Sequence, residues 1–320
     1  MIVLRSFESL RREKNSVVTV GTFDGIHLAH REIIREVVHR ARMREGRSVV
    51  VTFDPHPKEV VASARGPVQL LSTLDERIAL LDALQVDVFL VIPFTWEFSR
   101  MGADEFYRTI ISERVGVSEV VVGYDHMFGR DREAGTSALM TLGRDLDFSV
   151  FTAHPVTLDG EPISSTRIRR ALAAGDVGLA ERLLGYPYQV SGTVVGGDRR
   201  GRTLGFPTAN LDPDASKKVV PGNGVFLVRV SIGTTQAYGI MNIGVRPTVS
   251  AGVQRVIEVH LLDFSRDIYG ERIAVTFLRR LRDEKKFGSV QELVEQLDRD
   301  REDARRMISV LSYSTPHNKE

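Results

Sequence analysis

Three hundred and twenty residues, at roughly 150 per domain, set an expectation of about two domains. Forty-three Lys and Arg against 42 Asp and Glu leave a net charge of +1, which argues against a basic nucleic-acid field, and zero cysteines remove disulfides, thiolate metal sites and cysteine nucleophiles together. The longest apolar stretch, residues 88–94, falls far short of the ~18 residues that span a bilayer, and the opening MIVLRSFESLRREK lacks a signal-peptide core, so a soluble cytoplasmic protein with no membrane partner is expected.

The first half alternates strand and helix signals. Residues 17–21 form a short β-branched run, followed by a helical stretch with Ile33, Ile34, Val37, Val38 and Ala41 on one face and a stop at Gly46. Residues 48–53 read as the next strand. Thr73-x-x-Glu76 reads as a capping box, continued by Leu74, Ile78, Leu81 and Leu84. Further strands are expected at 86–92, 119–123 and 149–155, with helices over 103–114 and from about Ser164. This order implies right-handed crossovers and a largely parallel sheet that binds ligand beyond its carboxyl edge. The texture changes near residues 185–188. Strand runs at 190–195, 225–232, 236–243, 256–263 and 273–277 are then separated by Gly- and Pro-rich turns, with one helix over 289–311. The expected fold is therefore a Rossmann-like α/β domain over residues 1–185 and an antiparallel β-barrel closed by a helix over residues 186–320.

Five segments could carry chemistry. GTFDGIHLAH (21–30) leaves the first strand and opens the first helix, where free N–H groups favour an anion. His27 and His30 are three apart and share one side of a helical first turn. Ordinary surface histidines on a capped turn are the rival reading; a zinc pair lacks both the H-E-x-x-H spacing and any thiolate, so no zinc is expected. SSTRIR (164–169) adds hydroxyls and two arginines at a strand-to-helix junction, which is also what simple capping looks like. GGDRRGRT (196–203) nearly matches a P-loop, but Arg202 stands where Lys is required and Pro207 forbids the following helix, so a P-loop is rejected. In FPTAN (206–210), Thr208 and Asn210 alternate with Ala209, so an extended backbone turns both to one face, and such oxygen ligands suit Mg²⁺ shared with phosphates. Glu258 sits in a strand-like run whose alternation sets Val256, Glu258 and His260 against Ile257, Val259 and Leu261.

The ordered pieces GTFDGIHLAH, VTFDPHP, VVGYDHMFG, ISSTRIR, GRTLGFPTANL, GVF, NIGVRPT, IEVHLLDF and LRDEKKF resemble the bacterial bifunctional riboflavin kinase/FAD synthetase family over nearly the whole chain. The resemblance implies that riboflavin is phosphorylated by ATP to FMN and that FMN is adenylylated to FAD. It implies that His27 and His30 meet ATP phosphates, that Phe23 and Gly25 shape the adenosine pocket, and that Ser164, Thr166 and Arg169 form an opposing clamp. Phe53, Asp54, His56, Asp125 and Phe128 would serve the nucleotide and flavin side. In the barrel, Gly201, Arg202, Gly205, Phe206 and Pro207 would wrap ATP, Thr208 and Asn210 would hold Mg²⁺ with it, and Glu258 would be the base. Ala29 stands where the family usually has Gly, and His126 where it has Phe. Two other readings stay open: a monofunctional nucleotidyltransferase with an inert barrel, and nucleic-acid binding through Arg199, Arg200 and Arg202, which lacks an aromatic platform.

Overall fold

A computed structural model of the chain describes residues 1–61, 68–124, 127, 135–196, 201, 204–214, 217–247 and 253–314. It divides into two compact units, Met1–Arg167 and Ile168–Glu320.

In the first unit, β1 (Ile2–Leu4), β2 (Ser16–Val20), β3 (Ser48–Asp54), β4 (Val88–Pro93), β5 (Val117–Gly123) and β6 (Ser149–Ala153) form one parallel six-stranded sheet in the order β1-β4-β3-β2-β5-β6. The β-branched runs suit strands covered on both faces. Alternation sorts them: Val50 packs with Ile34, Val38 and Leu81, whereas Val49 and Val51 pack with Tyr107, Ile111 and Leu139. Helices α1 (Leu28–Met43) and α3 (Leu74–Ala83) thus cover one face; α2 (Pro57–Val61) and α4 (Trp96–Ser99) are single-turn pieces after β3 and β4. The expected capping box of α3 is present, with Thr73 and Glu76 exchanging backbone-to-side-chain bonds of 2.9 and 3.2 Å. The opposite face carries α5 (Ala103–Phe106) and α6 (Thr136–Asp145). The helix expected over 103–114 is corrected here: after one α turn it widens into a π-helix, Tyr107–Val115, which buries Tyr107, Ile110, Ile111 and Val115 together against the sheet. Chain direction across the sheet reverses between β2 and β5, so the loop after β2 opens at the topological switch point. A small hairpin, β7 (Thr157–Leu158) with β8 (Glu161–Pro162), precedes α7 (Ser165–Ala173).

The second unit holds most of α7, then α8 (Val177–Leu184) and six antiparallel strands: β9 (Gln189–Val195), β10 (Ala209–Pro213), β11 (Gly224–Ile232), β12 (Thr235–Pro247), β13 (Val253–Leu261) and β14 (Arg272–Arg282). They close into a barrel in the order β10-β13-β12-β11-β14-β9, which leaves no free sheet edge. Phe226 and Phe277 meet edge to face at 5.4 Å among its buried residues. The helices before the barrel are fastened to it: Glu181 of α8 pairs with Arg279 at 3.0 Å, and Arg280 donates to the Ala174 carbonyl. Helix α9 (Val290–Ser314) lays Ala304 and Ile308 on Val225, Leu227 and Ile240.

Asp300 of α9 is buried and accepts Nε and Nη2 of Arg282 at 2.7–3.0 Å, with Gln296 Nε2 adding a bond at 2.9 Å. Asp300 is buried but the Arg282 side chain is 22% exposed, so losing these charge-assisted bonds costs roughly 1.5–3 kcal/mol. Asp300→Ala should therefore lower the unfolding free energy of the barrel, measured by denaturant titration, by about that amount, and a loss below ~1 kcal/mol would show that α9 is held by apolar packing alone.

Candidate active sites

The loop leaving β2 is built around Asp24. Its buried carboxylate accepts the backbone N–H groups of Leu71 and Ser72 at 2.9–3.0 Å and the Ser72 hydroxyl at 3.3 Å, and its carbonyl accepts Ser165 Oγ at 3.0 Å. Gly25 takes φ +85°, a conformation glycine enters without a steric cost, and its N–H donates to Ser72 Oγ at 2.7 Å. That N–H is thus committed to the protein and not presented to a ligand. Phe23 is buried in the core beside Ile26 and Ile34 and sets its edge against His30 at 5.2 Å, so it supports a histidine from behind.

His27 caps α1: its Nδ1 accepts the His30 backbone N–H at 3.3 Å, which puts the ring proton on Nε2. The two imidazoles stack at 3.6 Å with a 17° interplanar angle. Burial, and secondarily the charge of His27, holds the His30 pKa well below the usual imidazole range. His30 Nδ1 is buried with no hydrogen-bond partner among the described residues. The start of α1 therefore sets the stacked pair His27 and His30 at a helix amino terminus, where an oxyanion is favoured.

At the ends of β3 and β4, Arg77 is buried, donates to the Thr22 carbonyl at 3.0 Å and to Thr52 Oγ1 at 3.2 Å, and lies 3.9 Å from the exposed Asp54 carboxylate. Phe53 belongs to a half-buried aromatic group with Phe94 (5.5 Å), Phe98 (5.9 Å) and Phe106 (6.2 Å). His56 accepts the Lys58 N–H at 3.1 Å. Ser164 Oγ accepts the Arg167 N–H at 3.3 Å, so it caps α7, while its neighbour Ser165 reaches Asp24. Thr166 lies in the first turn of α7, and Arg169 falls two residues beyond the division into units. Asp125, His126, Phe128, Arg199, Arg200 and Arg202 lie outside the described residues.

In the barrel, strand register makes the second constellation. Asn210 of β10 pairs with Glu258 of β13, and Glu258 pairs with Asn242 of β12, so the three form one row across neighbouring strands. Ile257, Val259 and Leu261 are buried while Val256, Glu258 and His260 are half-buried, which is the alternation read from the sequence. Gly201 accepts the Phe206 N–H at 2.9 Å, and a Cβ there would strike the Phe206 carbonyl oxygen. Gly205, Phe206 and Pro207 carry the chain from this turn to Thr208. Asp24, Ser72, Arg77, Phe94, Phe98, Phe106, Asn242 and His260 were not legible as site residues, because each is recruited by partners distant in the chain.

A family model described as FAD synthetase matches residues 9–167, and one described as riboflavin kinase matches residues 184–308. The chain is 36% identical over 313 residues to a bifunctional riboflavin kinase/FMN adenylyltransferase of Escherichia coli strain K12, covering 97% of this chain and 99% of that one. It is 38% identical over 301 residues to a protein of the same description from Pseudomonas fluorescens, covering 94% and 96%. A crystal structure described as a macrolide-efflux protein from Streptococcus pneumoniae aligns with a TM-score of 0.85 at 35% identity, covering 95% and 98%. That description belongs to that protein; among the described residues here, no helix is long and apolar enough to cross a membrane.

The neutral His30 makes the first unit acid-sensitive. The unfolded chain protonates His30 near pH 6.5, the folded chain only at lower pH. Its contribution is intact above about pH 6.5 and is lost as the pH falls from there through the folded value. Between pH 7.5 and 5.5 the melting temperature of the first unit should fall further in the native protein than in His30→Gln; identical slopes would remove His30 as the cause.

Proposed function

The chain belongs to the bifunctional riboflavin kinase/FMN adenylyltransferase family, and we propose how its residues divide that work. It is an enzyme that uses ATP to make FMN from riboflavin and FAD from FMN. In this reading residues 1–185 form the adenylyltransferase domain and residues 186–320 the kinase domain. The enzyme works in the cytoplasm, and nucleic acid is not a partner.

Adenylylation proceeds by attack of an FMN phosphate oxygen on the α-phosphate of ATP, with pyrophosphate leaving. The nucleophile is already ionised and needs no base, so the protein supplies position and hydrogen bonds to developing charge. His27 and His30 donate to the ATP phosphates, with Gly25 and Phe23 fixing their loop. Ser164 and Thr166 contribute from the start of α7, and Arg169 enters on family resemblance alone. Asp54, His56 and Phe53 serve the nucleotide and flavin side, where the Phe94, Phe98 and Phe106 rings suit a planar isoalloxazine. Asp125 and Phe128 are assigned there by resemblance.

In the kinase step, Glu258 accepts the proton of the riboflavin 5′-hydroxyl as that oxygen attacks the γ-phosphate and ADP leaves. The observation that supports this most is the strand row in which Glu258 lies beside Asn210. Gly201, Arg202, Gly205, Phe206 and Pro207 wrap the nucleotide. Thr208 and Asn210 offer a hydroxyl and an amide carbonyl, hard oxygen donors that fit Mg²⁺ carried in with phosphates. When bound, Mg²⁺ neutralises charge on the transferring phosphoryl group.

Two measurements check this division. With riboflavin and ATP, and separately with FMN and ATP, chromatography resolves FMN from FAD. Glu258→Gln should slow FMN formation by about 10²–10⁴-fold and leave FAD formation from FMN intact, and His27→Ala should do the reverse. A loss of less than about threefold in Glu258→Gln rejects it as the base. Separately, residues 168–320 should fold alone and make FMN, whereas residues 186–320 should melt at a lower temperature, having lost the Arg279–Glu181 and Arg280–Ala174 links. An inactive 168–320 piece beside an active full chain would overturn the modular assignment.

A further inference from the structure

We infer that His260 is a positioning residue of the kinase step, holding the segment that carries Thr208 and Asn210 at a fixed place beside Glu258. The inference rests on the reading above, in which that segment receives ATP and its metal. His260 lies two residues from Glu258 on the same half-buried side of β13. Its Nδ1 is 2.8 Å from the carbonyl oxygen of Pro207, the residue before Thr208. A carbonyl only accepts, so the ring presents N–H at Nδ1. The same ring meets Phe206 edge to face at 5.4 Å, and the Arg301 guanidinium of α9 lies 5.2 Å from the Phe206 ring. Phe206 is only 6% exposed, so the segment is gripped at two consecutive residues by one side chain of the strand that bears Glu258.

Among the described residues, the segment is also tied by the Phe206 N–H to the Gly201 carbonyl at 2.9 Å. Pro207 has no N–H to enter a ladder, and β10 begins only at Ala209. Among the described residues, the backbone between Gly205 and Ala209 takes its position from the Phe206 N–H bond to Gly201, from Phe206 packing and from the His260 bond. Losing that bond should let Thr208 swing while the strand carrying Glu258 stays in register. Affinity for nucleotide should then suffer more than the chemical step, and riboflavin binding should be unchanged.

Two variants of the full-length chain separate the ring from its proton. His260→Asn keeps an N–H donor near the Nδ1 position; His260→Phe keeps an aromatic edge against Phe206 and loses the donor. In riboflavin phosphorylation, His260→Phe should raise KM for MgATP about tenfold, the effect of one lost hydrogen bond at the upper end of its range. Its kcat should stay within about threefold, and riboflavin affinity, followed by quenching of flavin fluorescence, should not change. His260→Asn should return KM to within about threefold of the native value. Imidazole ¹⁵N NMR of the native protein should show the Nδ1–H form for the resonance that disappears in both variants. Equal impairment of the two variants, an unaltered KM in His260→Phe, an Nε2–H form in the spectrum, or loss of the barrel's folding in His260→Phe alone would each overturn the role. Thr208→Ala, assayed alongside, tests the parent reading. An unaltered MgATP KM in Thr208→Ala discards that reading and the inference with it, whereas impairment there with none in His260→Phe discards the inference alone.

Discussion

The first unit turns on one buried carboxylate. Asp24 is 2% exposed, and a bare carboxylate at that depth would be costly unless its lone pairs were filled. They are filled by two backbone N–H groups and a hydroxyl from residues 71 and 72. This fixes the loop after β2 in space before any ligand arrives. The fixed loop then sets Gly25 in its left-handed conformation, turns His27 into the cap of α1 and brings Phe23 behind His30. The two histidines are held by backbone geometry and stacking, and the neutrality of His30 follows from its burial. For the phosphate-binding role proposed above, such a surface is preorganised: its donors would need little reorientation when charge develops on the substrate.

The barrel reaches the same end by register. In an antiparallel pair, directly opposed residues have Cβ atoms only ~4.5–5.5 Å apart, so a strand row is a ruler for side-chain spacing. Asn210, Glu258 and Asn242 stand on one such row. A slip by one residue in β13 would send Glu258 into the packed side and bring Val259 out, which buried Ile257, Val259 and Leu261 forbid. The carboxylate is therefore placed by hydrophobic residues that never touch a substrate.

Much of this was legible in the chain. Sheet-forming runs, the α3 capping box, the amphipathic face of α1 and the alternation around Glu258 are local patterns with periods of 2 or 3.6, and the structure contains them. What was not legible depends on distance. Asp24 reads as a turn residue in TFDG, and its partners are 47 and 48 positions away. His260 reads as one member of a polar stripe until the barrel closes and brings Pro207, 53 positions earlier, against it. The strand β10 was hidden because it is short and holds Asn210, Asp212 and Pro213, residue types depleted in strands. The π turn after Phe106 has no short-range signature distinct from an α-helix that carries Ile110 and Ile111 on one side.

The hold of α9 on the barrel has a consequence for how the enzyme comes into being. Arg301, one residue past the buried Asp300, is the cation over Phe206. A nascent chain leaves the ribosome from its amino end at roughly 5–20 residues per second. The Asp24 loop is tied to Leu71, Ser72 and Ser165, all within the first 165 residues, so that surface can assemble early. The nucleotide segment of the barrel must wait until Arg301 has emerged. On the division proposed above, each new chain would complete its FAD-forming surface some seconds before the kinase barrel is whole.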